Sequence, residues 1–591
     1  MDKKKINKYC PLLKRLLLSY LAVTLFFLLL SVLFNLRGVN LIKKRLFNKA
    51  EKNFNLAKKF AKVPNQMTFS LISTLKFNYQ LSQTAEIACR TIRIGGQYFT
   101  TNFQLTDGKK ERLLSGKKND SEVAEFKQSV SNLSNSVGEL SKTANESLII
   151  KILVDEKKIN NLAEFVSDLS NAFSWLMTDS KRIIVLLQNS DEIRASGGFI
   201  GSYARIAINN GQFGFFDITD IYNPEGQFNG FIEPPPGVKE YLSNGKSWQV
   251  TDSNWHVDFP TAAQDIKNMM SLGGEEDLDL IVAVNLEFIE KIISDLGTIN
   301  LSDGSGHLTS ENFTEHARAD RDFFIPGSTE KVDFLANAFS HISLSMQVTS
   351  AEQQNRLLKT VLEQINQKNI LFYSSDRKIQ QLFSKYYIDG SLSSKNYMQV
   401  DLEDDLHQHL DKVINKEGEL LPLLYIIESN VGINKANRRV KRSVEIKQND
   451  KRILIVINYI NDNIAPSPIP NWNPELHGAN HLSYINYQRI VASPLFDVKE
   501  VWQDGKLIKG VDQNVIQTKG GEEFNQTGFL ITVPEQERSE VKIVFENTGS
   551  QNLDKLLIVK QPGLTDVRYL MKTLNSEVEF LLNHDIVVDM K

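Results

Sequence analysis

The first hydrophobic pattern along the chain is an unbroken apolar run at residues 16–36. It contains no ionised side chain, and about 20 residues with a rise of about 1.5 Å each cross a hydrocarbon core of about 30 Å. The run therefore predicts a membrane-spanning helix. A cleaved signal peptide is the alternative, but the run is longer than the apolar core of a signal peptide, and no small-x-small cleavage site follows before Arg37.

Basic residues flank this predicted helix on both sides, and the tail 1–15 carries more of them than the stretch 37–45. The positive-inside rule therefore gives a small preference for a cytoplasmic amino terminus. A lone anchor at the start of a large polar chain most simply exports everything that follows it. We expect a single-pass protein of the cell membrane with the bulk of its chain extracytoplasmic.

Residues 41–179 repeat apolar positions every three or four residues, which is the period of an amphipathic helix. Leu46, Ala50 and Phe54 begin one such run. The pattern predicts a stalk of several long helices that lifts the next domain off the membrane. The lysine-rich face at 43–59 has two interpretations, contact with anionic lipid or a solvated helix face.

Residues 181–347 alternate short apolar runs with a helical pattern. The runs at 183–187, 203–208 and 280–284 have the length of buried strands, and a helix-period segment follows the last of them. An Asn-Asn-Gly sequence after the second run is a hairpin signal, because Asn and Gly tolerate positive φ. We therefore predict an α/β/α layered domain with a mixed sheet.

A helical pattern returns at 351–437, which we interpret as a helical continuation and connector. From residue 438 the pattern changes to alternating apolar and polar positions in at least six segments, which predicts a β-sandwich-like domain at 438–591. The predicted fold class is a multidomain α/β (α+β) protein. It consists of one amino-terminal transmembrane helix, a helical stalk, a layered α/β domain with a mixed sheet, and a carboxyl-terminal all-β domain.

Composition narrows the choice of function. The 591 residues carry a net charge of −3, without the basic excess typical of nucleic-acid-binding proteins. The two cysteines, Cys10 and Cys89, lie on opposite sides of the predicted membrane helix, so we expect no disulfide between them. Neither an HExxH sequence nor a CxxC pair is present.

Charged side chains concentrate in four loops of the predicted α/β domain, and loops at strand ends are where ligand sites of such sheets form. In the first loop Glu192 and Arg194 precede Gly197 and Gly198, whose backbone amides could approach an anionic ligand. The spacing matches neither the Walker A loop nor the dinucleotide fingerprint. A tight turn is the alternative.

Carboxylates mark the second and third loops. Asp217 and Asp220 lie at the end of a strand pattern, either in a polar site or in a solvated turn. Asp252 and Asp258 lie in a loop whose aromatic residues are explained by packing alone. We expect Thr261 to cap the helix that follows this third loop.

The fourth loop holds Arg318, Asp320, Arg321 and Asp322, shortly before another helical pattern. Two arginines and two carboxylates within five residues either neutralise one another in an exposed ladder or clamp a phosphate together with a metal ion. The composition of the loop leaves both interpretations open.

These loops also carry a family resemblance. The residues that carry it are Leu186–Asn189, Glu192, Arg194, Gly197–Ser202, Asp252–Trp255, Asp258–Pro260, Tyr484–Arg489 and Lys560–Gly563. Their pattern resembles the uncharacterised bacterial envelope family called domain of unknown function 4012 (DUF4012), over roughly residues 180–570. That family has no assigned activity.

More remotely, the central domain is similar to the LytR-CpsA-Psr enzymes. These enzymes are anchored by one helix and transfer polyprenyl-pyrophosphate-linked glycopolymers to peptidoglycan. They place arginines and aspartates around a pyrophosphate and a magnesium ion. Arg318, Arg321, Asp322 and Phe323 can be aligned with their cluster of Arg and Asp-Phe residues.

This second resemblance implies a membrane-anchored phosphotransferase of cell-envelope assembly. In such an enzyme arginines neutralise pyrophosphate oxygens and carboxylates hold Mg²⁺. The residues expected in these roles are Arg194, Arg318 and Arg321 for catalysis, Asp220 and Asp252 for the metal, and Gly197 and Gly198 for the ligand. Further candidates for the site are Glu192, Asp217, Asp258, Asp320 and Asp322. The alternative function is a non-catalytic surface scaffold that mediates adhesion or binds wall polymer.

Overall fold

Helices occupy the amino-terminal part of the computed structural model, a mixed sheet its centre, and two β-sheets its carboxyl-terminal part. The residues that the structure describes are 3–44, 46–67, 73–102, 120–146, 150, 156–228, 230–301, 306–313, 330–394, 421–449, 452–464, 481–549, 553–573 and 575–590.

The amino-terminal helices form an antiparallel bundle, as shown by paired positions along their length. Thr84 and Ser136 contact each other at 2.7 Å between hydroxyl oxygens, and Thr91 and Ser129 do so at 2.6 Å. The apolar positions predicted from helical periodicity are buried between the helices. The helices are α1 (Lys3–Lys43), α2 (Phe47–Met67), α3 (Ser73–Asn102), α4 (Asp120–Glu146) and α5 (Glu156–Leu176).

Helix α1 contains the predicted anchor. Among the described residues, Val23–Ile42 is the stretch long and apolar enough to cross a membrane, with a mean hydropathy of 2.0. This stretch overlaps the predicted span, 16–36. Helix α2 runs back along it, since Phe60 stacks on Phe34 with ring centroids 5.4 Å apart. The orientation of α1 in a membrane stays a prediction.

The central domain is built on a five-stranded sheet in the order β3-β2-β1-β4-β7. Strands β1 and β4 are parallel, and the other neighbours are antiparallel, so the predicted mixed sheet is confirmed. In the β2–β3 hairpin, Asn210 and Gly211 have φ of 49° and 79°, as the Asn-Gly signal requires. The elements of this domain are β1 (Ser180–Asn189), β2 (Phe199–Asn209), β3 (Gln212–Asp220), α6 (Tyr222–Gln227), α7 (Val238–Tyr241), α8 (Phe259–Leu272), β4 (Leu280–Asn285), α9 (Leu286–Leu296), β5 (Ile299–Asn300), β6 (His307–Leu308), α10 (Glu330–Gln347), α11 (Ala351–Asn366), β7 (Ile370–Ser374) and α12 (Arg377–Lys385).

Helices cover both faces of this sheet. Successive side chains of a strand point to opposite faces, and in β1 both sets are apolar. Ile184 and Leu186 pack with Ile266 of α8 on one face. Val185 and Leu187 pack with the cluster formed by α9, α10 and α11 on the other face. The domain therefore has three layers in the order helix, sheet, helix.

The sheet extends past the predicted domain limit at residue 347. Strand β7 pairs with β4 at the sheet edge, whereas the sequence pattern predicts helix and connector throughout 351–437. The physical reason is the length of the apolar run, since four residues at 370–373 are too few for periodicity to separate a strand from a helix.

Two facing sheets form the carboxyl-terminal domain, in the orders β13-β12-β16-β10-β9-β18-β19 and β14-β15-β11-β8-β17-β20. One apolar cluster that includes Ile455, Phe529 and Ile543 joins their inner faces, so the predicted all-β sandwich-like domain is confirmed. Strand β8 lies inside the second sheet, and the domain therefore begins before the predicted limit at 438. Its strands are β8 (Leu423–Ile427), β9 (Val440–Asn449), β10 (Arg452–Asn461), β11 (Tyr484–Ala492), β12 (Phe496–Gln503), β13 (Lys506–Leu507), β14 (Val511–Gln517), β15 (Glu523–Val533), β16 (Arg538–Asn547), β17 (Lys555–Val559), β18 (Arg568–Lys572), β19 (Glu577–Leu581) and β20 (Ile586–Asp589).

Candidate functional site

The loop after β1 lies between the central and carboxyl-terminal domains. The Asn189 side chain accepts a hydrogen bond from the Asp191 amide at 3.1 Å and starts a one-turn 3-10 helix. Residues 193–198 are buried, and the Ile193 carbonyl accepts from the amide of Asn430 in the other domain. We call the contact between the two domains the interdomain joint, and its residues are 190–198, 252–258, 428–430, 486–489 and 560–563.

Arg194 lies inside this joint and is only 2% exposed. Its Nε and one Nη donate to Oδ1 of Asp252 at 3.0 and 2.9 Å. Its other Nη donates to the carbonyl oxygens of Ile193 at 3.1 Å and Asn430 at 2.5 Å. Four of its five N–H donors are thus used by contacts within the described part of the chain. The structure thus brings the predicted catalytic arginine and the predicted metal ligand together, but as a buried ion pair that neutralises itself.

The glycine pair after Arg194 is part of the same contact. Gly197 and Gly198 have φ of 127° and 150°, and the Gly197 amide already donates to the Arg194 carbonyl at 3.1 Å. An added Cβ at Gly563 would overlap the carbonyl of Gly197. The glycines therefore allow two backbones from different domains to approach each other, which differs from the predicted role of holding an anionic ligand.

Two neighbouring side chains of the carboxyl-terminal domain, those of Lys560 and Gln561, form hydrogen bonds to the central domain. Gln561 Nε2 donates to the carbonyl oxygens of Arg194 at 3.1 Å and Glu428 at 2.8 Å, and its Oε1 accepts from the Glu428 amide at 2.7 Å. Lys560 Nζ donates to the carbonyl of Gln367 in the central domain at 2.6 Å. Burial lowers the pKa of Lys560 to about 8. Both side chains are buried, so their polar groups serve the domain contact.

Arg489 of β11 is a second buried arginine in the joint. Its guanidinium carbon lies 4.4 Å from the ring centroid of Trp255, and its Nη atoms donate to the Trp255 carbonyl at 2.8 Å and the Ser429 hydroxyl at 3.0 Å. Burial lowers the pKa of Arg489 to about 10. Sequence reasoning assigned this residue no role, because a strand pattern does not show which side chain meets another domain.

Asp258 connects three separate segments. It caps α8, with Oδ2 accepting from the Thr261 amide at 3.2 Å, so the predicted cap at Thr261 is wrong. Its Oδ1 accepts from the Leu392 amide at 3.0 Å, and its Oδ2 accepts from the Lys519 amide at 3.1 Å. The side chain is fully buried. This carboxylate is therefore used to fix backbone amides, and it offers no free oxygen to a metal.

The loops that form the central side of the joint belong to one segment of the chain, 179–321. Residues 179–321 match the DUF4012 family. The description of that family is a protein of unknown function, so the match brings no activity with it. It confirms the predicted resemblance to that family over residues 179–321, a shorter part of the chain than the expected 180–570. No curated protein matches the sequence.

Three solved structures align with about the same share of the chain, and each alignment covers 40% of it. They are the Lin1025 protein from Listeria innocua (14% identity, 95% of that chain, TM-score 0.21), the transcriptional regulator yvhJ from Bacillus subtilis (13%, 94%, 0.17) and TagV from Bacillus subtilis (11%, 95%, 0.17). At these TM-scores the similarities carry no argument about the function of the DUF4012 segment.

Glu192 is the charged residue of the first loop that keeps some exposure. Burial raises the pKa of its carboxyl, and the nearby cations of Arg194 and Lys435 lower it by a smaller amount. The raised pKa comes from partial desolvation at the edge of the joint. Glu192 therefore favours its protonated form more than a free carboxyl does, and its expected part in a phosphate site stays a prediction.

The two carboxylates of the second loop do not converge. Asp217 pairs with Arg205 across β2 and β3 at 2.5 Å. Asp220 accepts from the Tyr222 amide at 3.0 Å and begins the turn into α6. Because side chains alternate along a strand, Asp217 and Asp220 point to opposite faces of the sheet.

The fourth loop lies outside the described residues, so Arg318, Asp320, Arg321 and Asp322 remain predictions. Among the other candidates, Asp252 is paired with Arg194. Magnesium binding by Asp220 and Asp252 stays a prediction.

An open polar groove lies outside the DUF4012 segment, between α2, α3 and α4. Its volume is about 510 Å³, which is within the usual size of ligand sites. Amide and charged side chains line it, and Glu86 inside it pairs with Arg90 at 3.4 Å. Its lining includes Gln80, Gln83, Glu86, Arg90, Asn132 and Asn135. Sequence reasoning missed this groove, because its residues belong to three separate helices.

Proposed function

We propose that this protein is a membrane-anchored, non-catalytic scaffold of the bacterial cell envelope, which holds its central and carboxyl-terminal domains as one unit and binds wall polymer. The observation that carries this proposal is that the charged loop residues already form structural hydrogen bonds. Those of Arg194, Asp252 and Asp258 hold domains or segments together. Such residues stabilise a presentation surface, and they are not free to bind a changing substrate.

The polar groove of the bundle supports the second part of the proposal. Amide groups both donate and accept hydrogen bonds, which suits a hydroxyl-rich chain such as a wall glycan. Asn132 and Asn135 are exposed, while Gln83 is half-buried on the opposite helix. A polymer lying in the groove would therefore meet amides from both walls.

A pull-down with purified wall material tests this function in the full chain. We expect retention of the wild-type protein on the wall material, and we expect Gln83→Ala/Asn135→Ala to reduce it. A matched control is Gln513→Ala/Asn514→Ala, which removes two amides from the surface of the carboxyl-terminal domain. No retention of the wild-type chain would refute polymer binding. Isolated residues 438–591 are unsuitable, because they lack the inner strand β8.

The transferase predicted from the LytR-CpsA-Psr resemblance is the second candidate. The observation that favours it is the position of Asp220, on the sheet face where Phe216 and Ile218 pack with Leu335 of α10. Helix α10 begins soon after Arg321 in sequence, so Asp220 shares a face with the helix that follows the predicted cluster.

Binding of a polyprenyl pyrophosphate in the presence of Mg²⁺ tests the transferase. If this candidate is right, the full chain binds the lipid only with Mg²⁺, and Arg318→Ala/Arg321→Ala abolishes binding. Binding that is unchanged in the double variant, or absent in the wild type, would exclude it. The groove variant Gln83→Ala/Asn135→Ala is the control, because it leaves these arginines intact.

A further inference from the structure

A cleft opens between the two sheets of the carboxyl-terminal domain, with β12 on one side and β14 on the other. Its volume is about 230 Å³, and residues of β11, β15 and β16 complete its walls. An apolar cavity of about 150 Å³ is already large enough to bind benzene in a protein interior. The cleft therefore has room for a short aliphatic chain.

The wall that the second sheet contributes changes from polar to apolar with depth. Strand β14 is the outermost strand of that sheet, β15 is next and β11 is third. On one row across these strands, Gln513 pairs with Thr527, and Thr527 pairs with Ile490. Gln513 is exposed, whereas Thr527 is 4% and Ile490 1% exposed. The cleft thus has a polar mouth and an apolar floor.

The floor belongs to the main apolar core of the domain. Phe496 and Phe545 of the first sheet and Ile490 and Ala492 of the second sheet are buried in the cluster that joins the two sheets. Facing sheets lie about 10 Å apart. The space between their inner faces therefore suits one narrow apolar chain.

Two amide side chains bridge the sheets at the mouth. Gln513 Nε2 donates to the Val498 carbonyl at 2.9 Å, and Asn525 Nδ2 donates to the Phe496 carbonyl at 3.0 Å. Within the part of the chain that the structure describes, the oxygens of these two amides accept no hydrogen bond, and the Thr527 hydroxyl forms none. The mouth thus offers a ligand two acceptors and one hydroxyl.

The charges at the mouth do not favour an anionic ligand. Asp497 is the charged residue of the lining. The neighbouring Lys499 pairs with Asp497 at 2.5 Å and with Glu546 at 3.4 Å. A carboxylate or phosphate head group would therefore lie beside a carboxylate, and the nearby lysine is already paired.

The floor does not favour a sugar. A sugar carries hydroxyl groups around its whole ring, and those placed against Phe496 and Phe545 would lose their hydrogen bonds. A ligand with a single uncharged hydroxyl at one end and a hydrocarbon chain behind it matches both the mouth and the floor.

We propose that this cleft binds an uncharged aliphatic alcohol. The ligand hydroxyl donates to the amide oxygen of Asn525 or Gln513 and accepts from the Thr527 hydroxyl, while its chain lies on Phe496 and Phe545. Burial of the chain supplies the affinity, and the polar groups fix the orientation. The site is independent of wall-polymer binding in the bundle groove, because it lies in another domain.

Photolabelling tests the proposal on the full chain in lipid nanodiscs. The probe is an octanol that carries a diazirine on its chain, and mass spectrometry identifies the labelled peptides. We expect saturable label in residues 496–498 and 525–527. An excess of 1-octanol should abolish this label, whereas the same concentration of octanoate should leave it in place.

Two substitutions with matched controls distinguish a ligand site from general apolar contact. Val515 is 61% exposed at the mouth, so Val515→Trp should block the cleft, whereas Val578→Trp on the exposed strand β19 should have no effect. Thr527→Val keeps the shape of the side chain and should weaken binding about fivefold through the loss of one hydrogen bond. Thr532→Val, at an exposed position of the same strand, should leave binding unchanged.

Three results would overturn the proposal. Label that is spread evenly over the apolar surface, or that persists in Val515→Trp, would show that the cleft is not the binding site. Competition by octanoate as strong as that by 1-octanol would show that the mouth accepts a charged head group. Wild-type affinity in Thr527→Val would contradict the hydrogen bond to the ligand hydroxyl.

Discussion

A buried arginine is tolerated when its donors are paired, because an isolated charge in the interior is very costly. Replacing Arg194 by Ala leaves the Asp252 carboxylate in the joint without its partner. We expect a loss of about 3–5 kcal/mol in the free energy of unfolding. Urea unfolding of the full chain in detergent, followed by tryptophan fluorescence, measures this loss.

The control for Arg194→Ala is Arg205→Ala in the same domain. Arg205 also pairs with an aspartate, but its side chain is 37% exposed. An exposed ion pair contributes less than about 1 kcal/mol, so the control should shift the unfolding midpoint only slightly. Equal shifts in the two variants would show that Arg194 has no special structural role.

Glu192 predicts a pH dependence with a defined sign. Burial raises the pKa of its carboxyl, so the folded state favours the protonated form. Its contribution to stability is fully present below the unfolded pKa of about 4.3 and is lost as pH rises through the folded pKa. We expect Glu192→Gln to raise the melting temperature at pH 7–8 and to leave it unchanged near pH 4.

Thermal unfolding at the two pH values, with Glu276→Gln as an exposed control, checks this prediction. The control removes a carboxylate from the surface of the same domain. A Glu192→Gln variant that is less stable than the wild type at pH 7–8 would mean that its ion pairs outweigh its burial.

The sequence showed which residues of the candidate site are unusual, but not what they contact. Arg194 and Asp252 stand out as charged residues in loops next to apolar segments, and Gly197 stands out as part of a glycine pair. Their partners, Gln561 and Gly563, belong to another domain far along the chain. A contact of that kind leaves no local periodicity, so the sequence did not show that these residues lie between two domains.

At the scale of elements, the start of α8 is fixed by more than its own cap. Asp258→Ala removes the cap and also leaves the buried amide of Leu392 and the part-buried amide of Lys519 without their acceptor. A cap contributes about 1 kcal/mol, and each orphaned buried donor costs about 1–3 kcal/mol. We expect the unfolding free energy to fall by about 3–5 kcal/mol in the urea experiment.

Asp376→Ala is the matched control, because Asp376 caps α12 by accepting from the amides of Lys378 and Ile379 and nothing else in the described chain. It should cost about 0.5–2 kcal/mol. If the two variants lose the same stability, Asp258 acts as an ordinary cap and does not connect segments.

Most elements could be predicted from the pattern of apolar positions. The amphipathic helices, the buried strand β1 and the Asn-Gly hairpin follow local rules, because each buries its own apolar face or needs its own turn chemistry. The two misplaced domain limits involve β7 and β8, short apolar strands that join a sheet through distant partners. Local periodicity does not show which strands pair when they are far apart in the sequence.

At the scale of the whole molecule, the loops expected from the sequence to bind a pyrophosphate hold two domains together. Gly563 is the most sensitive point of that contact, since any side chain there would displace the backbone of Gly197 in the other domain. A substitution at Gly563 should therefore change the stability of the contacting loops of the central domain.

Hydrogen–deuterium exchange of the full chain measures this most directly, in Gly563→Ala and in Gly521→Ala as the control. Both glycines have positive φ, 77° and 84°, but open space surrounds Gly521. We expect Gly563→Ala alone to speed exchange in the central-domain loops 193–198 and 252–258. Faster exchange confined to the neighbourhood of the substituted glycine in both variants would contradict the claim that these loops form an interdomain joint.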